Sequence, residues 1–136
     1  MNGLDSLSFV SSVTVPLVTL ACAVGIAAFD TVNTPEVLNG VKQREQLFRD
    51  GLKAINAKYD VFSEIRGQGL LIGAALNDKY QGKARDFMLA AADEGLMMLV
   101  AGYSVIRMTP SLVIPEADIA EGLKRFEKAV AKMVQA

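Results

Sequence analysis

The most constraining feature of this sequence is a long run without charge near its amino terminus. From Ser6 to Phe29 the chain carries no charged side chain, and Val13–Phe29 is almost entirely apolar or small. An apolar stretch of about 20 residues is long enough to cross the hydrocarbon core of a bilayer. The same pattern is compatible with a signal peptide, or with a helix that other protein surrounds on all sides.

The residues in and before this run favour the buried helix. Asp5 precedes the run and no Lys or Arg does, so the positive segment typical of a signal peptide is missing. Pro16 interrupts the regular hydrogen bonding that a membrane-spanning helix requires. We therefore predict a helix that packs inside a larger protein, of which this chain holds only part. An exported or membrane-anchored small protein is the alternative.

Composition excludes several chemistries. The 136 residues include no His, one Cys, 14 Lys plus Arg and 15 Asp plus Glu, for a net charge of −1. Without imidazole there is no Ser-His-Asp or Cys-His relay, and Cys22 alone cannot form an internal disulfide or a Cys-rich zinc site. The balanced charge offers no electrostatic basis for binding nucleic acid or anionic membranes. We expect no metal, nucleic-acid or membrane partner.

Beyond Asp30 the pattern is typical of a small α+β domain. Thr34 and Pro35 suit the cap and first position of a helix that continues to about Lys58. The other predicted elements are two strand segments within Val61–Leu76, a loop at Asn77–Gly82, a helix at Lys83–Glu94, short strands at Leu96–Val100 and Tyr103–Met108, and a last helix opening at Pro115-Glu116. The order predicts helices packed on a short sheet.

Two groups of polar or small residues are expected to be structural. The charged face of the second helix is predicted to be solvated; it comprises Lys42, Arg44, Glu45, Arg49 and Asp50. Gly67-Gln68-Gly69 is predicted to be a bend between strands, because a dinucleotide loop needs a third glycine and a helix directly after it. Arg66 is expected to pair locally.

Arg107 is the residue whose position suggests chemistry. It stands at the end of the apolar strand Val105-Ile106-Arg107-Met108, where an unpaired guanidinium would be costly to bury. Its planar fork can hold a carboxylate of an amino or keto acid by two parallel hydrogen bonds. An internal pair with Asp or Glu is the other possibility. No nucleophile and base can be matched among the remaining residues, so the chain alone is interpreted as a binding or structural module.

Several motifs, in order, give the chain a family resemblance. They are Asn33-Thr34-Pro35-Glu36-Val37-Leu38-Asn39-Gly40-Val41-Lys42, Phe62-Ser63-Glu64-Ile65-Arg66-Gly67-Gln68-Gly69-Leu70-Leu71-Ile72-Gly73, Val105-Ile106-Arg107-Met108-Thr109-Pro110-Ser111-Leu112 and Asp118-Ile119-Ala120-Glu121-Gly122-Leu123. From about Leu20 to its end, the chain resembles the C-terminal part of a class III, pyridoxal-phosphate-dependent aminotransferase. It is most similar to the acetylornithine/succinylornithine aminotransferase group of arginine metabolism.

The resemblance implies roles for two residues. Arg107 matches the family arginine that holds the substrate α-carboxylate. Thr14 aligns with a hydroxyl residue that reaches the cofactor phosphate of the neighbouring subunit. The surrounding segment departs from the family pattern. Only Thr14 and Leu20, among residues 13–20, agree with it. The family's paired glycines are also missing there.

The resemblance further implies a fold and an assembly. The fold is the small C-terminal domain of a fold-type I enzyme, with an atypical leader at 1–19 and the domain and its preceding buried helix at 20–136. No lysine of this chain matches the cofactor lysine motif, so pyridoxal phosphate is expected only in the complete enzyme. We expect a truncated, cytoplasmic segment that is inactive alone. It is expected to form a homo-oligomer (a dimer in the family) or to associate with a cofactor-domain segment. The substrate is expected to be an amino acid or a keto acid. A stand-alone binding or assembly domain is the alternative.

Overall fold

The computed structural model describes the backbone of residues 5–135 and the side chains of residues 18–135. It divides into two compact units, residues 1–38 and 39–136. The phosphate-contact prediction at Thr14 lies outside the described side chains, as does Val13 beside it. The predicted domain boundary at residue 20 stays a prediction.

The first unit is built on helix α1, Asp5–Val32. This helix covers the uncharged run, and every side chain from Val18 to Val32 is solvent-exposed in this chain. Leu20, Ile26 and Phe29 are each more than 60% exposed. The prediction that other protein covers α1 therefore stays a prediction. Within the described residues, no single helix is long and apolar enough to cross a membrane; one bent pair, Val18–Val32 with Pro35–Tyr59, meets that test by length and composition.

Helix α2, Pro35–Tyr59, begins where the sequence predicts it. The Thr34 hydroxyl accepts a hydrogen bond from the Val37 amide at 3.3 Å, which satisfies one of the free amides of the first turn. Its buried residues are Phe48, Leu52 and Ile55. They recur at steps of three and four residues, so one stripe of α2 faces the core.

The sheet of the second unit has four antiparallel strands in the order β1-β2-β4-β3. They are β1 Phe62–Gln68, β2 Leu71–Leu76, β3 Leu99–Ala101 and β4 Val105–Met108. The Gly67-Gln68-Gly69 bend joins β1 to β2, and both of its glycines have positive φ, 131° and 57°. Residues with side chains rarely adopt these values, so the structural interpretation of this bend is confirmed.

Helices α3, Ala84–Asp93, and α4, Glu116–Gln135, complete the α+β fold that the sequence predicts. Gly95 follows the last turn of α3 with a positive φ of 74°, as expected of a glycine that ends a helix. The core contains Phe87 and Phe126, both almost fully buried, beside Leu52 and Ile106. The segment Asn77–Gly82 is not all loop, because a short 3-10 turn at Asp78–Tyr80 buries the Tyr80 ring against Phe87.

The predicted solvated face of α2 is wrong at three of its residues. Arg44 Nε donates to the Ile114 carbonyl at 2.6 Å. Glu45 accepts from the Gly69 amide, and Arg49 donates to the Gly67 carbonyl at 2.7 Å. These side chains bind backbone groups of the β1–β2 bend and of the segment before α4. Arg66 pairs with Glu64 at 3.3 Å, as predicted.

Candidate functional site

A cavity of about 360 Å³ lies at the end of β4 in the second unit. Elements distant in sequence form its walls. Phe48 comes from α2, Leu123 and Phe126 come from α4, and Met97 and Met98 precede β3. Polar side chains in the lining are those of Arg107, Thr109 and Asp118. The cavity is therefore mostly apolar, with one cationic and one anionic side chain in its lining.

Strand register fixes the position of Arg107. On β4 it lies opposite Gly73 of β2 and opposite Leu99 of β3. Gly73 has no side chain to compete for space, and a methyl group added there would come within 3.3 Å of Val105. The neighbouring Ile106 is fully buried, whereas Arg107 is half-buried. Alternation along β4 thus separates the core residue from the arginine.

Arg107 has no internal partner among the described residues. Its side chain takes part in no hydrogen bond and no ion pair there, and its buried Nε lacks a hydrogen-bond partner. Asp118 lines the same cavity without forming an ion pair with Arg107. The sequence leaves two possibilities open for Arg107, a substrate carboxylate or an internal pair with Asp or Glu. The internal pair is not formed among the described residues. A buried donor without a partner is costly, and no described group offsets that cost at the Nε of Arg107.

The connection after β4 is held in place by its own contacts. Ile114, which lines the cavity, donates its amide to the Ser111 carbonyl at 3.1 Å and accepts from Arg44. Arg44 therefore connects α2 to the rim of the cavity by a hydrogen bond. No sequence pattern signals this contact, because Arg44 and Ile114 are 70 positions apart.

The lysines of the chain do not fit a site for a covalently held cofactor. All eight are solvent-exposed and none lines a described cavity; they are Lys42, Lys53, Lys58, Lys79, Lys83, Lys124, Lys128 and Lys132. Hydrogen bonds to Glu127 and Glu94 raise the pKa of Lys58 and of Lys132, respectively. A raised pKa keeps an amine protonated, which is the opposite of what a nucleophilic amine needs.

Within the described residues, no cluster of His, Cys, Asp and Glu side chains could hold a metal ion. Cys22 is a free, exposed thiol on α1. The candidate site of this chain is therefore the Arg107 cavity.

Comparison with known proteins identifies relatives of this chain. The Aminotransferase class-III family matches residues 18–130. The acetylornithine aminotransferase of Shewanella oneidensis is 68% identical over 117 residues, which are 86% of this chain and 29% of that protein. The acetylornithine/succinyldiaminopimelate aminotransferase of Yersinia pestis is 60% identical, over 85% of this chain and 29% of its own length. The chain thus spans less than a third of these relatives.

Solved structures agree with the fold. The N-acetylornithine aminotransferase of Stenotrophomonas maltophilia superposes with a TM-score of 0.81 at 40% identity, over 85% of this chain and 32% of that one. The acetylornithine aminotransferase of Elizabethkingia anophelis has a TM-score of 0.75 at 32% identity, over 83% of this chain and 30% of its own. The expected fold, a segment of a pyridoxal-phosphate transaminase, is confirmed by these neighbours.

Proposed function

Because this chain belongs to the class III aminotransferase family, we propose that it is the C-terminal, substrate-carboxylate-binding portion of a pyridoxal-phosphate-dependent transaminase. The observation that carries the proposal is the unpartnered guanidinium of Arg107 beside an apolar cavity. The chain spans 29% of its curated relatives, so this function concerns the part of a transaminase that these residues represent.

Arg107 is proposed to hold the carboxylate of the amino-acid or keto-acid substrate. A guanidinium presents its N–H groups in a fixed plane that matches the two oxygens of a carboxylate. The apolar walls around it lower the local dielectric and strengthen that attraction. Since no described acidic group neutralises Arg107, its charge is available to a ligand.

The substrates proposed are acetylornithine, succinylornithine and related ω-amino compounds of arginine metabolism. The support comes from the names of the relatives, which include acetylornithine aminotransferase, acetylornithine/succinyldiaminopimelate aminotransferase and succinylornithine transaminase/acetylornithine aminotransferase. The cytoplasmic location and the dimeric assembly that the resemblance implies stay predictions.

In this family pyridoxal phosphate serves as the electron sink of the reaction. The described residues of this chain do not fit it, because every lysine is exposed and none lines a cavity. We propose that the chain by itself neither holds the cofactor nor catalyses transamination. Thr14 is the proposed contact to the cofactor phosphate of a neighbouring subunit in the complete enzyme.

The proposed lack of transaminase activity is tested on the isolated chain. Pyridoxal phosphate is added, borohydride is used to reduce any Schiff base, and the labelled lysines are mapped by mass spectrometry. We expect scattered, substoichiometric labelling of exposed lysines and no turnover with acetylornithine. Stoichiometric labelling of one lysine together with turnover would contradict the proposal.

A hybrid enzyme tests the role of Arg107. Residues 20–136 replace the matching segment of the Shewanella oneidensis relative, which is 68% identical. In this hybrid we expect Arg107→Met to lower kcat/KM by roughly 10- to 100-fold, the range of a lost hydrogen bond to a charged group. Arg66→Met is the matched control, because Arg66 is exposed and paired with Glu64. Equal activities of the two variants would refute the assignment.

The same hybrid, extended to include Thr14, tests the phosphate contact. Thr14→Ala should weaken cofactor retention, whereas Thr14→Ser keeps the hydroxyl and should retain it. Identical retention by both variants would remove Thr14 from the site.

A second candidate is a stand-alone binding or assembly domain derived from the enzyme. The exposed apolar side chains of α1 favour it, since Leu20, Ile26 and Phe29 are each more than 60% exposed. Contiguous exposed apolar surface marks an interaction site more often than a free surface. Sedimentation velocity distinguishes the outcomes, because a well-behaved monomer at all concentrations would contradict the assembly function.

A further inference from the structure

We propose that the free edge of β3 is a dimerisation surface, at which two copies of this chain pair their β3 strands antiparallel to each other. In the order β1-β2-β4-β3, one side of β3 bonds to β4 and the other side has no strand beside it among the described residues. An edge of this kind presents backbone N–H and C=O groups that a further strand can bond. The inference goes beyond the proposed transaminase function and does not depend on it.

The two edges of the sheet differ in the features that prevent pairing. On β1, Glu64 and Arg66 are charged and each more than half exposed, and the register with β2 shifts between Phe62 and Glu64. Charged side chains and bulges are the means by which natural sheets keep their edges apart from other strands. Around β3 the chain carries no charged residue from Gly95 to Ile106. The β3 edge is therefore the one open to another strand.

An apolar groove next to the start of β3 defines the chemistry of the partner. It has a volume of about 390 Å³, and its lining comes from α3 and from the segment between α3 and β3. No charged side chain lines it; the lining residues are Met88, Ala92, Gly95, Leu96, Met97 and Met98. Methionine side chains adapt to the shape of apolar neighbours. The groove and the edge together suit an uncharged, apolar strand, which is what residues 96–101 of a second copy supply.

The positions of two exposed side chains favour such a second copy. Met97 is 93% exposed and Tyr103 is 86% exposed, the two highest values among the large apolar side chains that the structure describes. They lie three positions before and three positions after Val100, the central residue of β3. An antiparallel pair of identical strands centred on Val100 thus places Met97 of each copy opposite Tyr103 of the other. Contacts between a thioether and an aromatic ring are favourable, and the two-fold symmetry makes this contact twice.

The residues within β3 are compatible with the same register. Leu99 and Ala101 are both exposed, and the pairing places Leu99 of each copy opposite Ala101 of the other. A large side chain thereby lies next to a small one, and no like charges meet. The two four-stranded sheets then form one continuous sheet.

Self-association is measured by sedimentation velocity of the 136-residue chain over a range of concentrations. The variants are Met97→Asp and Tyr103→Lys, each alone and as an equimolar mixture. Both side chains are almost fully exposed in a single copy, so we expect their replacement to leave the melting temperature of the monomer unchanged. Gln68→Lys introduces a charge on the β1 edge and is the matched control.

We expect the unmodified chain and Gln68→Lys to form dimers with the same dissociation constant. Met97→Asp and Tyr103→Lys should each raise that constant by at least about tenfold, because two symmetric contacts are lost at once. In the equimolar mixture, the introduced carboxylate of one chain lies opposite the introduced amine of the other. The mixed dimer should therefore be at least about threefold tighter than either homodimer, since opposite charges across a strand pair attract.

A chain that stays monomeric at all concentrations would overturn the inference, and so would a mixed dimer no tighter than the two homodimers. The exposed side chains of α1 offer a different contact, which Phe29→Ser tests. If Phe29→Ser abolishes the dimer and Met97→Asp leaves it intact, the copies associate through α1. That result would refute the β3 pairing and support the assembly domain as the second candidate function.

Discussion

The Glu45 carboxylate accepts a hydrogen bond from the backbone amide of Gly69 at 2.9 Å, across 24 positions of sequence. Its other oxygen pairs with Arg49, at 2.9 Å, and Arg49 donates in turn to the carbonyl of Gly67 at 2.7 Å. Two side chains of α2 thereby hold both glycines of the β1–β2 bend. The bend is therefore held by α2 as well as by the pairing of β1 with β2.

This arrangement predicts a specific loss of stability. Arg49→Met removes the hydrogen bonds that Arg49 donates to one oxygen of the Glu45 carboxylate and to the carbonyls of Ile65 and Gly67, so we expect the free energy of unfolding to fall by about 1–3 kcal/mol. Urea denaturation measures the change. Arg85→Met is the control, because Arg85 is an exposed arginine on α3. Similar midpoints for the two variants would show that the clamp contributes nothing.

Asn56 supports a second stability prediction. Its side-chain oxygen accepts from the amides of Val61 and Phe62, and its nitrogen donates to the Phe62 carbonyl. Asn56→Ala removes all three bonds, and Asn56→Asp removes the donor alone. We expect losses of about 1–3 kcal/mol for alanine and a smaller loss for aspartate. If aspartate proves as damaging as alanine, the two accepted bonds carry no stability.

Two helical glycines predict opposite responses to alanine. A methyl group at Gly122 would meet Leu96 at 3.8 Å, which is ordinary contact, whereas one at Gly51 would collide with the side chain of Leu123. Gly122→Ala should therefore stabilise the fold by about 0.5–1 kcal/mol through helix propensity. Gly51→Ala should lose that gain because Leu123 has to move. Thermal unfolding of both variants measures the difference, and equal shifts would contradict it.

The Glu94–Lys132 ion pair predicts a dependence on pH. The hydrogen bond from Lys132 holds the pKa of Glu94 below its usual 4.5, and the same bond raises that of Lys132 above 10.5. The stability that the ionised Glu94 adds to the fold is fully present above about pH 4.5 and is lost as the pH falls through its lowered pKa. The stability that the protonated Lys132 adds is fully present below pH 10.5 and is lost as the pH rises through its raised pKa.

The melting temperature of Lys132→Met should accordingly fall less steeply than that of the unmodified chain as the pH falls below 4.5. Lys53→Met is the control, because Lys53 is an exposed lysine on α2. If the melting temperatures of the unmodified chain and of Lys132→Met fall equally steeply below pH 4.5, the Glu94–Lys132 ion pair adds nothing to the stability of the fold.

The elements that the sequence predicts well are those with local signals. The Thr34 cap, the Gly95 stop and the spacing of Ile119, Phe126 and Val130 on α4 all act within a turn or a single helix. Tyr80 escapes prediction because one aromatic residue inside a polar segment has no periodicity. Its burial depends on contact with Phe87, on the next helix.

The candidate site shows the same division. Arg107 is predictable because a cation at the end of an apolar strand is visible in sequence. Its cavity is not, because the walls combine Phe48, Met98 and Phe126 from three parts of the chain that are distant in sequence. The ties made by Arg44 and Arg49 are likewise invisible in sequence, since their partners are backbone carbonyls whose positions only the fold determines.

Helix α1 affects the fate of the chain in a cell. From Val18 to Val32 its side chains are exposed, and most are apolar. Chaperones and proteases select surfaces of this kind, so when no other protein covers α1 we expect cellular abundance to depend on quality control as well as on folding free energy. A substitution that strengthens residues 39–136 would therefore raise the melting temperature without a matching rise in the amount of protein.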